Sequence, residues 1–290
     1  MKGLIITNGY FSNESTKNQV ERLTEEFNKL GVLLTEQKGN EVITYIENGV
    51  VKSNIGEVDF VIFLDKNIHV AKMLEKAGYK VFNSAKSIEL CDDKMLTYIS
   101  LANQNIAMPK TLPSPIMYKS VEDSSFVSAV EKEFDYPIVV KNVYGSMGRE
   151  VYLAKNKSEL TALYNYLKLY PHLYQEYIGD GVGKDIRVIV VGGKVISSMQ
   201  RENEKDFRSN IGLGGVGKLI KLTKAQEDLA LNAVKVLGLD YAGVDIISKN
   251  NKDYICEVNS NAFFKEIEDI SGENVAKAYA KHVFNTVYDK

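Results

Sequence analysis

Asp245, Glu257 and Asn259 sit in two short apolar runs, AGVDII (242–247) and YICEVN (254–259), joined by the polar stretch SKNNKD. Each run reads as a strand, and the Lys/Asn/Asp-rich stretch between them reads as a hairpin turn. Glu257 and Asn259 are two residues apart and so share a face. A turn centred on Asn250 and Asn251 sets Asp245 opposite Cys256 or Glu257. Two carboxylates facing each other across a ladder lie ~5 Å apart. At an effective dielectric of ~20 that costs about 3 kcal/mol. Either one carboxyl takes a proton or a hard cation sits between them. Two carboxylates and an amide oxygen form an all-oxygen set, which suits Mg²⁺ held jointly by protein and phosphates. The competing reading is a hairpin with two solvated acids.

Three further groups could serve phosphate chemistry. Lys141 lies near the end of the apolar strand YPIVVKN (136–142) and precedes Gly145-Ser146-Met147-Gly148-Arg149. A glycine loop between strands can fold its amides over phosphates, and the lysine adds a point charge; an ordinary hairpin loop is the alternative. In LYQEYIGDGVGKDIR (173–187), Glu176 and Tyr177 end a strand, where free backbone groups can bind a flat ligand edge. Asp185 and Arg187 share a face on the next strand. They read either as a surface pair or as groups for a hydroxyl and an oxyanion. Arg201, Arg208 and Asn210 lie in the polar loop QRENEKDFRSN (200–210), which can carry guanidinium to a transferring phosphoryl group or simply be solvated. GLGGVGK (212–218) and GDGVGK (179–184) have Gly/Lys spacing. Both lack the preceding strand, the following helix and the Ser or Thr that a P-loop requires.

The elements that must position these residues follow from periodicity. LIITNG, VDFVIFLD (58–65) and YKVFNS (79–84) read as strands. Val20, Leu23, Phe27 and Leu30 recur at helical spacing before Gly31, and a second helix covers 67–77. This β-α-β-α-β order implies a parallel sheet. One helix is expected from Cys91 to Asn105. Then come a helix at 123–135, the strand 136–142, the strand VYLAKN, a helix over 157–169 with Ser158 at its start, and the strand LYQEYI. IRVIVVGGKVISSMQ (186–200) reads as two strands joined by Gly-Gly. A polar loop (201–217), a helix (224–237), the acidic hairpin and a helix from Glu273 complete the chain.

The 290 residues are 44% hydrophobic and 26% charged, with a net charge of −2, ordinary for a globular protein. That balance gives no footprint for nucleic acid or an anionic membrane. No apolar run approaches the ~20 residues of a membrane span. The opening MKGLIITNGYF is too short in apolar length for a signal segment and reads as a strand. Cys91 and Cys256 lie far apart, so reduced thiols and a cytoplasmic location are expected. His69, His172 and His282 show no zinc spacing.

Taken in order, Lys94, Lys141 with its glycine loop, QEYI, DIR, DFRSN, AGVDI and EVN resemble the ATP-grasp enzymes, and among them the RimK-type carboxylate–amine ligases, over about residues 90–280. The resemblance implies an α/β (α+β) ATP-grasp fold. It would comprise a parallel-sheet preATP-grasp domain (1–90), a central subdomain (91–178) and a C-terminal subdomain with a metal-binding hairpin (179–290). It implies ATP and one or two Mg²⁺, with Mn²⁺ as a substitute. Lys94 and Lys141 would contact ATP, and Gly145, Ser146 and Gly148 would close over the triphosphate. Glu176, Tyr177 and Ile178 would line the adenine, with Asp185 near the ribose. Arg208 and Asn210 would act at the γ-phosphate, and Asp245, Glu257 and Asn259 would bind metal.

The implied reaction joins a small-molecule or peptide carboxylate to an amino acid or amine through an acylphosphate. Arg208, with Arg187 or Arg201, would stabilise the transferring charge. The loop GSMGRE departs from the GTQGIG-like loop of ribosomal-protein glutamate ligases and is closer to lysine-biosynthesis ligases. EVNSNAFFKEIE matches neither group; Asn261, Phe263 and Phe264 are expected to border the acceptor pocket. A homo-oligomer, dimer or tetramer, is implied by resemblance alone. The alternatives are a ligase that tailors a ribosomal peptide, a Mg²⁺-dependent kinase and a non-catalytic ATP-binding module.

Overall fold

A computed structural model describes residues 1–145, 148–179, 183–210, 212 and 214–288. The chain opens with β1 (Lys2–Thr7), α1 (Glu14–Lys29), β2 (Leu33–Lys38), β3 (Thr44–Glu47), β4 (Val50–Ser53), β5 (Phe60–Leu64), α2 (Ile68–Lys76) and β6 (Val81–Phe82). Strands β2-β1-β5-β6 form the expected parallel sheet. All of β5 and nearly all of β1 are buried, as in a sheet covered on both faces. Asn13 starts α1 by accepting from the Thr16 amide at 2.8 Å. Strand β2 and the β3–β4 hairpin are additions to the expected order. Only Leu34 of β2 is fully buried, and the hairpin is exposed along most of its length, so neither carries a strong apolar pattern. The hairpin did have a readable signal: Asn48 and Gly49 both take positive φ, 52° and 78°, as a two-residue primed turn requires.

The middle of the chain holds α3 (Ala85–Asp92), α4 (Lys94–Leu101), β7 (Thr111–Pro113), α5 (Ser125–Glu133), β8 (Ile138–Asn142), β9 (Val151–Ala154), α6 (Lys157–Leu167) and β10 (His172–Glu176). The single helix expected at 91–105 is two helices. Asp93 leaves helical geometry (φ −94°, ψ 106°), ends α3 and caps α4 by accepting from the Leu96 amide at 2.9 Å. The break places Lys94 at the first position of α4. The cap of α6 is Asn156, not Ser158. Strands β7-β10-β8-β9 form an antiparallel sheet.

The last part holds β11 (Gly183–Val191), β12 (Lys194–Asn203), β13 (Val216–Leu219), α7 (Lys224–Leu237), β14 (Tyr241–Lys249), β15 (Lys252–Asn259), α8 (Lys265–Ser271) and α9 (Val275–Tyr288). Strands β13-β12-β11-β14-β15 form one antiparallel sheet. The expected polar loop at 201–217 is shorter, because β12 extends to Asn203 and β13 begins at Val216. Gly192-Gly193 and Asn250-Asn251 make the two hairpin turns, all four residues at positive φ.

One face of the C-terminal sheet shares a core with the N-terminal sheet and α9, through Ile189, Tyr241, Ile5, Phe60, Phe27 and Tyr279. Its other face packs on α7, α3 and α4, so Cys91, Leu101 and Ile106 belong to that core and not to the central sheet's. The central sheet keeps a core of its own around Val140, Leu160 and Tyr174. No helix among the described residues is long and apolar enough to cross a membrane.

Candidate active site

Between the central and C-terminal sheets lies a cleft of about 840 Å³. It gathers residues from distant parts of the chain: Lys94 from α4, Lys141 from β8, Gly145 and Gly148 from the loop after it, and Glu176, Tyr177 and Ile178 from the end of β10. The C-terminal sheet and its loops supply Asp185, Arg201, Arg208, Asn210, Asp245 and Glu257. Arg187, Asn259, Asn261 and Phe263 are not among the lining residues, and Ser146 lies outside the described residues. Arg149, Gln175, Lys184, Ser209 and Cys256 also line the cleft and were not singled out from the sequence. Each of them lies inside a quoted motif, which was the only signal for them.

Register decides which residue faces Asp245. Ile246 pairs with Ile255, but Asp245 pairs with Glu257, so Cys256 is an extra residue in β15. This β-bulge turns Glu257 to the side of Asp245. Asn259 follows two residues on, opposite Gly243. Gly243 has to be glycine on packing grounds: a Cβ there would lie 2.4 Å from the Ala262 Cβ.

Two cross-strand pairs build a charge ladder beneath the cleft. Asp185 lies opposite Arg201, and Arg187 lies opposite Asp245. Arg201 donates Nε to Asp185 Oδ1 at 2.8 Å and Nη2 to Asp185 Oδ2, and its Nη2 lies 3.1 Å from Asp245 Oδ2. Arg187 donates Nε to Asp245 Oδ1 and Nη2 to Oδ2, the latter at 2.9 Å. Asp185, Arg201 and Asp245 are 7%, 4% and 4% exposed, so the four alternating charges compensate each other in a nearly dry setting. Burial pushes the Asp245 carboxyl up, but Arg187 and Arg201 together outweigh it and hold it below the usual range. Burial wins at Asp185, whose carboxyl stays above the usual range despite Arg201.

Lys94 donates Nζ to the Gly145 carbonyl and lies 3.5 Å from Glu257 Oε1, joining the glycine loop to the hairpin. Lys141 is 6% exposed, with Nζ 3.8 Å from Cys256 Sγ. Burial pulls its ammonium down and the nearby Glu257 carboxylate pulls it up; the balance lies above the ordinary lysine range. Burial pushes the Cys256 thiol up, which makes it a poor nucleophile. Arg208 donates Nε and Nη2 to Asp206 at 3.0 and 2.7 Å, and Nη1 to the Gly148 carbonyl at 2.8 Å. It thereby ties the DFRSN loop to the glycine loop across the cleft. Gly148 sits at φ 70°, a conformation glycine adopts without strain.

At the far wall, the Lys110 amide donates to Glu176 Oε2 at 3.2 Å, and Lys249 Nζ donates to the Tyr177 carbonyl at 3.4 Å. Asn261 donates to the Leu64 carbonyl at 3.0 Å. Phe264, expected at the acceptor pocket, is 1% exposed and packs against Tyr241 in the core. Among the described residues no cluster of three or more His, Cys, Asp or Glu side chains is placed to hold a metal. The cleft offers two facing carboxylates, Asp245 and Glu257, with the Asn259 amide two residues on but outside its lining. That donor set fits a hard cation taking its remaining ligands from phosphate and water.

Over residues 91–283 the chain matches the RimK-like ATP-grasp domain, and it belongs to that family. It is 34% identical over 226 residues to beta-citrylglutamate synthase B of Danio rerio, covering 76% of this chain and 54% of that protein. It is 34% identical over 228 residues to a probable alpha-L-glutamate ligase of Marinomonas sp., covering 76% and 72%. The chain thus spans about half the length of the Danio rerio relative. A RimK domain ATP-grasp protein from Sphaerobacter thermophilus shares the fold, with a TM-score of 0.75 at 17% identity over 97% of this chain and 99% of that one.

Proposed function

We propose that the chain is an ATP-dependent carboxylate–amine ligase that releases ADP and phosphate and forms an amide bond. The observation that carries this is the convergence of Lys94, Lys141, Arg201 and Arg208 with the Asp245–Glu257 pair on one cleft. Glutamate is the first amine to test, because both relatives carry it in their names. In the first step a substrate carboxylate oxygen attacks the γ-phosphorus, the bond to the β-phosphate oxygen breaks, and ADP leaves. In the second the amine nitrogen attacks the acyl carbon, the C–O bond to phosphate breaks, and the nitrogen gives up a proton.

Lys94 and Lys141 hold the phosphates, and Arg208 supplies guanidinium to the transferring phosphoryl group. Arg187 and Arg201 keep Asp245 ionised. Asp245, Glu257 and Asn259 would hold one or two Mg²⁺, with Mn²⁺ as a substitute; the ion neutralises phosphate charge when bound. Cys256 takes no covalent part, consistent with its raised thiol. Both cysteines are free, which fits a cytoplasmic enzyme.

The test is ADP release from Mg-ATP with amino acids, other carboxylates and short peptides, singly and in pairs, with Asp245→Asn as control. Release that needs both a carboxylate and an amine supports the ligase. A stable phosphorylated product formed without amine makes it a kinase, and nucleotide binding with no turnover on any pair removes the enzymatic reading.

A further inference from the structure

The β14–β15 ladder ends with the pair Gly243–Asn259, and only three pairs separate that open end from the bulge at Cys256. Strand β14 is held on its other side by β11, whereas β15 is the edge of the sheet. The outer edge of β15 is held at Ile255, whose amide donates to the Ala107 carbonyl at 2.9 Å, and at Cys256, whose carbonyl accepts from the Tyr98 hydroxyl; these bonds stop short of Glu257, which faces another carboxylate across this short stretch.

Near the open end the Tyr241 hydroxyl donates to the Ala262 carbonyl at 2.6 Å, and one further side chain, Asn83, bonds the backbone on both sides. Asn83 Nδ2 donates to the Tyr241 and Ser260 carbonyls, both at 2.8 Å. Its Oδ1 accepts from the Asp240 amide at 2.7 Å and the Tyr241 amide at 3.0 Å. All four hydrogen-bonding positions of the carboxamide are used, and Asn83 is 2% exposed. It works as a detached peptide group, bridging the first residue of β14 and the residue after β15 where the ladder has stopped. It belongs to the N-terminal part of the chain, immediately after β6. Two neighbours there act on the same segment: Gln19 Nε2 donates to the Ala262 carbonyl at 3.3 Å, and the Leu64 carbonyl accepts from Asn261 Nδ2 at 3.0 Å.

We propose that Asn83 is a positioning residue for the metal-binding hairpin, clamping its open end so that Glu257 and Asn259 stay in register with Asp245. The N-terminal part of the chain would thus set metal affinity without supplying a ligand. This rests on the metal reading given under Proposed function.

The experiment is Mn²⁺ titration followed by electron paramagnetic resonance, with ADP present, on the whole chain. Asn83→Ala is compared with Ser87→Ala. The latter removes another hydrogen bond between the same parts of the chain, a part-buried one (Ser87 Oγ to the Gly238 carbonyl, 2.7 Å), without touching the hairpin. Asn83→Ala is expected to weaken Mn²⁺ binding about 10- to 100-fold, the range for groups that orient metal ligands. Affinity for ADP without metal is expected to be unchanged, and Ser87→Ala is expected to bind Mn²⁺ like the wild type. Should Asn83→Ala not fold, Asn83→Asp keeps the side-chain shape and removes both donors, and the same weakening is expected. Wild-type affinity in the Asn83 variant, or equal loss in both variants, overturns this inference alone. A wild type that takes up no Mn²⁺ overturns the metal reading, and this inference with it.

Discussion

Replacing Arg201 with methionine keeps much of the side-chain volume and removes the guanidinium that Asp185 and Asp245 share. Asp185 loses both of its arginine bonds, whereas Asp245 keeps Arg187. Breaking a buried pair from one side costs about 3–5 kcal/mol, a large share of a stability of ~5–15 kcal/mol. Protonation limits the damage. Burial already holds the Asp185 carboxyl above its usual range, and Arg201 is the main group opposing that. Without Arg201 the folded carboxyl keeps a proton that the unfolded one releases. A folded pKa above the unfolded value gives stability that is present below the unfolded pKa and lost as pH rises toward the folded one. The gap between Arg201→Met and wild type should therefore be widest near neutral pH. It should narrow by up to about 1.4 kcal/mol for each pH unit on lowering, until the wild-type Asp185 carboxyl, itself held above the usual range, takes up its proton as well. Urea unfolding at several pH values measures this. The double variant Arg201→Met/Asp185→Asn should recover most of the loss and lack the single variant's fall in stability toward neutral pH. A single-variant loss below about 1 kcal/mol with no pH trend refutes the claim that Asp185 depends on Arg201.

Further outcomes follow from the cleft. Gly243→Ala should cost about 1–3 kcal/mol by overpacking against Ala262, and Ala262→Gly should restore the melting temperature in the double variant. Lys141→Met should bind ATP at least about tenfold more weakly by calorimetry, the loss of a hydrogen bond from a charged group. Its melting temperature should hold or rise, because a buried cation has been replaced by an apolar chain of similar length. Arg208→Lys keeps the charge but loses the forked N–H geometry. Its kcat for ADP release should fall about 10²- to 10³-fold, with nucleotide affinity nearly unchanged.

The strand order of the acidic hairpin was legible because its turn is spelled by Asn250 and Asn251 between apolar runs. The register was not. Asp245 could face Cys256 or Glu257, and the bulge that selects Glu257 is decided by packing of the whole sheet. The charge ladder was hidden for a related reason. Asp185 and Arg201 are sixteen residues apart, and Arg187 and Asp245 fifty-eight. They become neighbours only once β12, β11 and β14 lie side by side. The split at Asp93 was missed because an acid near a helix start reads equally as a dipole partner and as a cap ending the helix before it. Asn83 gave no signal, since one asparagine after a short strand looks like any turn residue.

The separate core of the central sheet has a mechanical consequence. All its apolar members lie between Leu112 and Tyr174, while the sheets on either side of it in sequence share one core. The contacts that fasten the central sheet across the cleft include the Arg208–Gly148, Lys94–Gly145 and Lys249–Tyr177 hydrogen bonds, polar links that water can replace. The central sheet is thus arranged like a jaw, with its own core and polar links across the cleft. On the proposed function, nucleotide would enter past these exchangeable bonds. Hydrogen exchange should find the Gly145 and Gly148 amides opening far more often than those of β1 and β11, and equal protection would mean that the jaw is welded shut.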